Sequence, residues 1–222
     1  MNRSFSVIFD KTNGDKTSSH DGLWMIKEQN NTHTKQLNLQ VLSDGLSPYV
    51  EHVNESNFSI KSTHIEDKKC DGFAFVINHG KCDKLLFVEL KDGLSGSSIV
   101  KALSQLFWSF VKMHSYLSMC SGYVLEDLSL EFVVATQNFA NAEGRTRLEH
   151  FITRNISVPE KRETADFFYN LLKYGRVVLS MDRVLMIIGK QYPFNEKIVG
   201  KKVVIHHVVS ANYGDSSVSA QI

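Results

Sequence analysis

The stretch Asp71-Gly72-Phe73-Ala74-Phe75-Val76-Ile77, a polar break, and then Lys84-Leu85-Leu86-Phe87-Val88-Glu89-Leu90-Lys91 decides how this chain is read. Two apolar runs rich in β-branched and aromatic residues flank Asn78-His79-Gly80-Lys81-Cys82-Asp83, a pattern that predicts a hairpin of adjacent strands. The first run opens with an acid and the second closes with Glu-x-Lys. Side chains alternate along a strand, so Glu89 and Lys91 share a face with Leu85 and Phe87, and Asp71 shares one with Phe73 and Phe75. Pairing Asp71 with Glu89 or Lys91, an even residue sum, places all three polar groups on one face; a slip of one residue separates them. Alternation alone leaves both registers open. Two carboxylates held together repel, and such a pair of hard oxygen ligands suits magnesium or manganese. An adjacent lysine fits the orientation of a water or the stabilisation of charge building on a phosphate. The competing reading is a plain hairpin with solvated charges at its ends.

The next segment favours the chemical reading. Gly93-Leu94-Ser95-Gly96-Ser97-Ser98 offers turn glycines and serine N-caps, and Ile99 to Tyr116 is apolar without proline or glycine, which predicts a helix directly after the second strand. Lys101, Gln105 and Lys112 fall four and seven apart and form one stripe on it. A solvent-facing position is the expectation for Lys112. Gln105 lies inside Ala102-Leu103-Ser104-Gln105-Leu106-Phe107-Trp108, where a buried amide needs partners and the metal site is a candidate.

Asp71, seventeen intervening residues, Glu89-Leu90-Lys91 and a following helix with Lys101 and Gln105 together resemble the core of the PD-(D/E)xK nucleases, the restriction-endonuclease-like superfamily. Phe87-Val88-Glu89-Leu90-Lys91-Asp92-Gly93 followed by Ala102-Leu103-Ser104-Gln105-Leu106 is similar to small stand-alone members from prokaryotic defence and recombination settings. The resemblance implies an α/β fold: an αβββαβ core with a mixed sheet flanked by helices, carrying β-rich additions at both ends. It implies Mg²⁺ or Mn²⁺ as cofactor and hydrolysis of nucleic-acid phosphodiesters. Carried over by position, Asp71 and Glu89 are metal ligands, Lys91 the catalytic lysine and Gln105 the polar residue of the following helix. A first-helix glutamate, the further metal ligand, falls best on Glu51 in Leu46-Ser47-Pro48-Tyr49-Val50-Glu51-His52-Val53, with Glu55 second. Cys70 stands where the family often has a proline. The likeness covers about residues 46–136, leaving 1–45 and 137–222 as elaborations of a single domain. The partners it implies are nucleic acid, DNA ahead of RNA, and a protein partner or second copy, with a role as effector of anti-phage defence. The alternative is a catalytically silent subunit that binds nucleic acid or a larger, ATPase-containing complex.

Composition sets the outer bounds. A chain of 222 residues with 42% hydrophobic content can bury one substantial core, and three prolines, thirteen glycines and no low-complexity tract leave little room for long linkers. No apolar run approaches the roughly 20 residues a bilayer span needs, so no membrane partner is expected. The stretch Met1 to Asp10 is too short in apolar residues for a signal peptide, and Cys70, Cys82 and Cys120 form no Cys-x-x-Cys pair, which fits a reduced cytoplasmic protein. A net charge of +1 is low for a protein that grips duplex DNA unaided. Basic residues must then cluster locally or a partner must supply the grip; Arg145, Arg147, Arg154 and His150 form a strip if 143–154 is helical.

Other chemistries fit less well. Nine histidines include no His-x-x-x-His, and the adjacent His206 and His207 point to opposite faces of a strand. Ser95-Gly96-Ser97-Ser98 lacks the ending of a phosphate loop, and no Gly-x-Ser-x-Gly elbow occurs. Trp24 and Trp108 are expected in the core. Beyond the hairpin, strands are expected over 5–9, 23–28, 36–42, 57–63, 129–135, 176–180, 184–188 and 203–209. A short helix is expected over 46–55 and a further helix over 160–174, the latter ending at Gly175, with a fraying tail from Tyr213 to Ile222.

Overall fold

Phe73, Phe75, Leu85 and Phe87 need a common apolar cover, and the chain supplies it by laying the helix that follows the hairpin across their face. A computed structural model describes residues 17–19, 22–27, 36–41, 49–53, 68–78, 81–91, 93, 95–136, 142–209 and 217–221. Among them the strands run β1 (Thr17–Ser19), β2 (Leu23–Lys27), β3 (Gln36–Gln40), β4 (Tyr49–Val53), β5 (Gly72–Asn78), β6 (Lys81–Lys91), β7 (Ser129–Thr136), β8 (Arg176–Ser180), β9 (Lys202–Val209) and β10 (Ser217–Gln221). The helices are α1 (Gly96–Leu117), α2 (Ala142–Asn155), α3 (Pro159–Tyr174), α4 (Met181–Ile187) and α5 (Glu196–Val199).

The main sheet is mixed and has seven strands in the order β1-β4-β5-β6-β7-β9-β8. Strands β4, β5 and β6 form an antiparallel meander; α1 then carries the chain over to β7, which pairs parallel with β6 and with β9. One face of the sheet packs against the helices through Phe73, Phe75, Phe87, Phe107, Phe110 and Phe132, all buried. Phe87 is central to this cluster, with ring centroids 4.7 Å from Phe73, 5.7 Å from Phe132 and 6.2 Å from Phe110. Phe87→Ala is therefore expected to cost about 3–5 kcal/mol, measurable as a lower midpoint in urea. The other face packs Ala74, Val76, Leu86, Val88 and Leu90 against Trp24, Ile26, Leu37 and Leu39 of a second, three-stranded sheet, β10-β3-β2. Both tryptophans are core residues, as expected.

Gly72 marks how tightly the second sheet sits. A Cβ there would lie 2.9 Å from Trp24 Cζ2 and 3.2 Å from Ile26 Cγ2, closer than packed carbons tolerate. Gly72→Ala should thus lower stability by about 1–3 kcal/mol, read from the thermal midpoint.

Several elements depart from expectation. Residues 46–55 do not form a helix over 49–53: Tyr49–Val53 is a strand, because β5 lies antiparallel beside it and satisfies its backbone groups there. Residues 184–188 are not a strand either. Met181, Val184, Leu185 and Ile188 are buried while Met186 is 60% exposed, the three-four spacing of a helix, so a continuous apolar run concealed α4. Residues 217–221 of the expected fraying tail are instead β10, paired parallel with β3. The hairpin loop is also shorter than its polar composition indicates, since β5 reaches Asn78 and β6 starts at Lys81. The C-terminal addition is not β-rich but holds four helices beside β8, β9 and β10. The expected strands over 5–9 and 57–63 lie outside the described residues. No helix among the described residues is long and apolar enough to cross a membrane.

Candidate active site at the end of the hairpin

The register of β5 and β6 decides whether the polar groups meet. Gly72 pairs with Val88 and Phe73 with Phe87, a constant even sum that continues to Asp71 opposite Glu89. The slip that would have separated them falls further along, at a bulge between Val76 and Ile77, and leaves the Asp71 end untouched. Asp71, Glu89 and Lys91 therefore share the helix-covered face, at the open end of the sheet.

Their contacts form a closed local network. The Leu90 backbone N–H donates to Asp71 Oδ2 at 2.7 Å, tying the carboxylate of one strand to the backbone of the next. Lys91 Nζ donates to Glu89 Oε1 in a short ion pair, and at 2.8 Å to Gln105 Oε1. Gln105 in turn donates from Nε2 to the Lys69 carbonyl at 3.0 Å. The amide of α1 thus joins the end of β6 to the segment that delivers Asp71.

That segment is held along its length by the polar stripe of α1. Lys112 Nζ donates to Lys68 O at 2.6 Å, Lys68 Nζ to Ser104 Oγ at 3.0 Å, and the Cys70 N–H to Ser109 Oγ at 2.9 Å. Lys112 is fully buried, which corrects the solvent-facing expectation: at this position the stripe faces a backbone carbonyl that needs a donor, not water. Lys101, on the same stripe, is exposed. Gln105→Leu is expected to cost about 1–3 kcal/mol, because the Lys69 carbonyl loses its donor and Lys91 an acceptor; chemical denaturation reads it directly.

Glu89 is the group under most stress. It is 2% exposed, and its Oε2 is buried with no hydrogen-bond partner among the described residues. Burial first, and then the Asp71 carboxylate, push its pKa up from 4.5 to about 8, against the Lys91 ammonium and the nearby Asp71 N–H, which pull it down. A buried carboxylate with a bare oxygen beside a second carboxylate is an arrangement that an added cation relieves.

Among the described residues no group of three or more His, Cys, Asp or Glu side chains gathers to hold a metal. Glu51, expected from a first helix, stands on β4 opposite Phe75, so its backbone is four residues and about 13 Å along the strand from Asp71. Glu55 lies outside the described residues. His206 and His207 go to separate partners, as their alternation requires. His206 Nε2 meets Glu131 Oε2 at 3.1 Å on the face of the second sheet, where Lys84 also contacts Glu131 at 2.8 Å. Burial raises the Glu131 pKa, but hydrogen bonds from His206 and Lys84 outweigh it and hold the carboxyl below its usual range. His207 Nε2 pairs with Thr136 Oγ1 at 2.9 Å on the helix-covered face. The strip on α2 is largely neutralised, since Arg145 pairs with Glu149 and Arg147 with Glu143.

Comparison of the chain with models of known families, with curated proteins and with solved structures finds no match.

Proposed function

We propose that the protein is a Mg²⁺- or Mn²⁺-dependent nuclease that hydrolyses nucleic-acid phosphodiester bonds, with Asp71 and Glu89 as metal ligands and Lys91 and Gln105 as catalytic partners. The observation that carries the proposal is the buried Oε2 of Glu89, which has no hydrogen-bond partner among the described residues, beside Asp71 and Lys91. Magnesium is commonly held by one or two carboxylates with waters and substrate phosphates, so two protein carboxylates are a sufficient donor set. Such an ion, when bound, withdraws charge from a phosphoryl oxygen and lowers the pKa of a water.

The side chains divide the remaining work. In the hydrolysis a water oxygen forms a bond to phosphorus, the bond to the leaving ester oxygen breaks, and that oxygen takes up a proton. Lys91, steadied by Gln105 at 2.8 Å, places a positive charge where negative charge gathers on the phosphate. Gln105 fixes the ammonium through the Lys69 carbonyl and so keeps the catalytic group in one position. Asp71, anchored on the Leu90 N–H, keeps its carboxylate beside Glu89.

The topology supports a restriction-endonuclease-like core. Strands β4, β5 and β6 in antiparallel order, then α1, then parallel β7 follow the βββαβ part of that arrangement. The first helix of the pattern is not among the described residues.

A second reading, a catalytically silent subunit that binds nucleic acid or a larger complex, is favoured by one observation: Lys91 already donates to Glu89 Oε1, so that oxygen is partnered without a metal. Incubation of the chain with labelled DNA and RNA separates the two. The nuclease cleaves with Mg²⁺ or Mn²⁺, stops with a chelator and resumes when the metal is restored. Binding without cleavage under every metal condition favours the silent subunit.

A further inference from the structure

The end of the sheet that carries Lys91 continues beyond it. Lys91 pairs with Thr136 on β7, and Val134 with His207 on β9, so alternation puts Lys91, Thr136 and His207 on the same helix-covered face. Thr136 is 1% exposed and bonded to His207, and the His207 backbone N–H donates to the Gly175 carbonyl at 2.8 Å. Gly175, at φ 64°, ends α3 in the left-handed conformation and so delivers Lys173 and Tyr174 to this same end of the sheet. Two strand spacings and one hydrogen-bonded step separate Lys91 from Gly175, roughly 15 Å.

What stands there is unusual for a helix end. Tyr174 is 62% exposed and Tyr169 41% exposed. Lys173 Nζ lies 5.0 Å from the Tyr174 ring centroid and 5.3 Å from that of Tyr169, and donates to the Tyr169 hydroxyl at 3.1 Å. Tyr169 and Lys173 also line a groove of about 540 Å³ between α2 and α3. Exposed aromatic rings backed by an ammonium stack bases of any sequence, at a gain that does not depend on a large positive charge. A duplex hides its base faces and is gripped mainly through phosphates, for which a net charge of +1 and the acid-paired arginines of α2 offer little.

We infer that this edge is a track for an unpaired nucleic-acid strand, in which Tyr174 and Tyr169 stack bases a few nucleotides away from the phosphate held at Lys91. The inference rests on the nuclease reading of Asp71, Glu89 and Lys91, and it names the substrate class of that site. Between the two ends, the hydrogen-bonded Thr136–His207 pair lies beneath the surface and braces the sheet edge that joins them. Burial lowers the His207 pKa to about 4, so this brace is uncharged at neutral pH.

The test is fluorescence anisotropy on the full chain carrying Glu89→Gln, in chelator, with labelled oligothymidylate, oligouridylate and a duplex of equal length. One or both single strands should bind at least about tenfold more tightly than the duplex, and which of them does so identifies the sugar. Tyr174→Ala should weaken that binding about tenfold, and Tyr174→Phe, which keeps the ring, should restore it. Duplex binding as tight as that of the single strands, or an unchanged affinity for Tyr174→Ala, overturns the track. Cleavage assays on the chain with native Glu89 separate the two levels. Tyr174-dependent single-strand binding without cleavage keeps the track and removes the nuclease. Metal-dependent cleavage that Tyr174→Ala leaves unchanged keeps the nuclease and removes the track.

Discussion

Glu89→Gln should melt at a higher temperature than the native protein at pH 8 in the absence of divalent cations, and the difference should vanish toward pH 4.5. The sign follows from where each state holds its proton. In the unfolded chain Glu89 ionises near 4.5, while in the folded protein burial and Asp71 hold it protonated up to about 8. Between those values the folded state binds more protons, so stability present below pH 4.5 is progressively lost as pH rises toward 8. A shift of this size corresponds to the order of 3–5 kcal/mol, or about 10 °C in a chain of this length. Glutamine has the shape of the protonated acid and never ionises, so it removes the pH-dependent loss while still accepting from Lys91. Mg²⁺ or Mn²⁺ at pH 8 should raise the melting temperature of the native protein and leave that of Glu89→Gln unchanged. A native protein less stable than its own glutamine variant is what a site held ready for a cation looks like.

The same residues should dominate the kinetics. Asp71→Asn, Glu89→Gln and Lys91→Met are each expected to lower the rate of metal-dependent cleavage by about a thousandfold or more. The three losses should not add, because a carboxylate pair that has lost one member no longer holds the ion for which the other is arranged. The variants should still separate by mechanism. Raising the metal concentration should recover part of the activity of Asp71→Asn but none of that of Lys91→Met, whose defect lies in charge stabilisation. Circular dichroism should report folded protein in all three cases. Full cleavage by Glu89→Gln would discard the mechanism.

How much of this is legible in the residues depends on how local each determinant is. The hairpin, α1 with its serine cap and α3 with its glycine stop are encoded by neighbours, and Ser95 Oγ indeed accepts from the Ser98 N–H while Gly175 closes α3. The convergence of Asp71 and Glu89 was readable only as a parity condition, since no local signal fixes where a bulge falls, and here it falls harmlessly at Val76 and Ile77. The role of Gln105 was visible as an amide in a greasy helix; its second bond, to the Lys69 carbonyl, depends on a segment thirty-six residues earlier. The burial of Lys112 is hidden from local pattern for the same reason: its acceptor is a backbone carbonyl forty-four residues away.

Long-range pairing accounts for the remaining errors. Tyr49–Val53 is a strand because β5 is there to receive it, and Ser217–Gln221 pairs with β3 across nearly the whole chain. The apolar run at 184–188 is strand-like in composition but helical in which residues it buries, a difference only the core reveals. The aromatic and cationic cluster at Lys173 and Tyr174 carries no motif; helix spacing puts Tyr169 four residues from Lys173, yet only the sheet order brings it to the end that holds Lys91.

The most direct measurement is anomalous diffraction from crystals soaked in manganese. A peak between the carboxylates of Asp71 and Glu89, absent from Glu89→Gln crystals treated alike, is the expected result. Well-ordered carboxylates with no peak between them, or a peak that persists in the glutamine variant, would contradict a metal-holding pair.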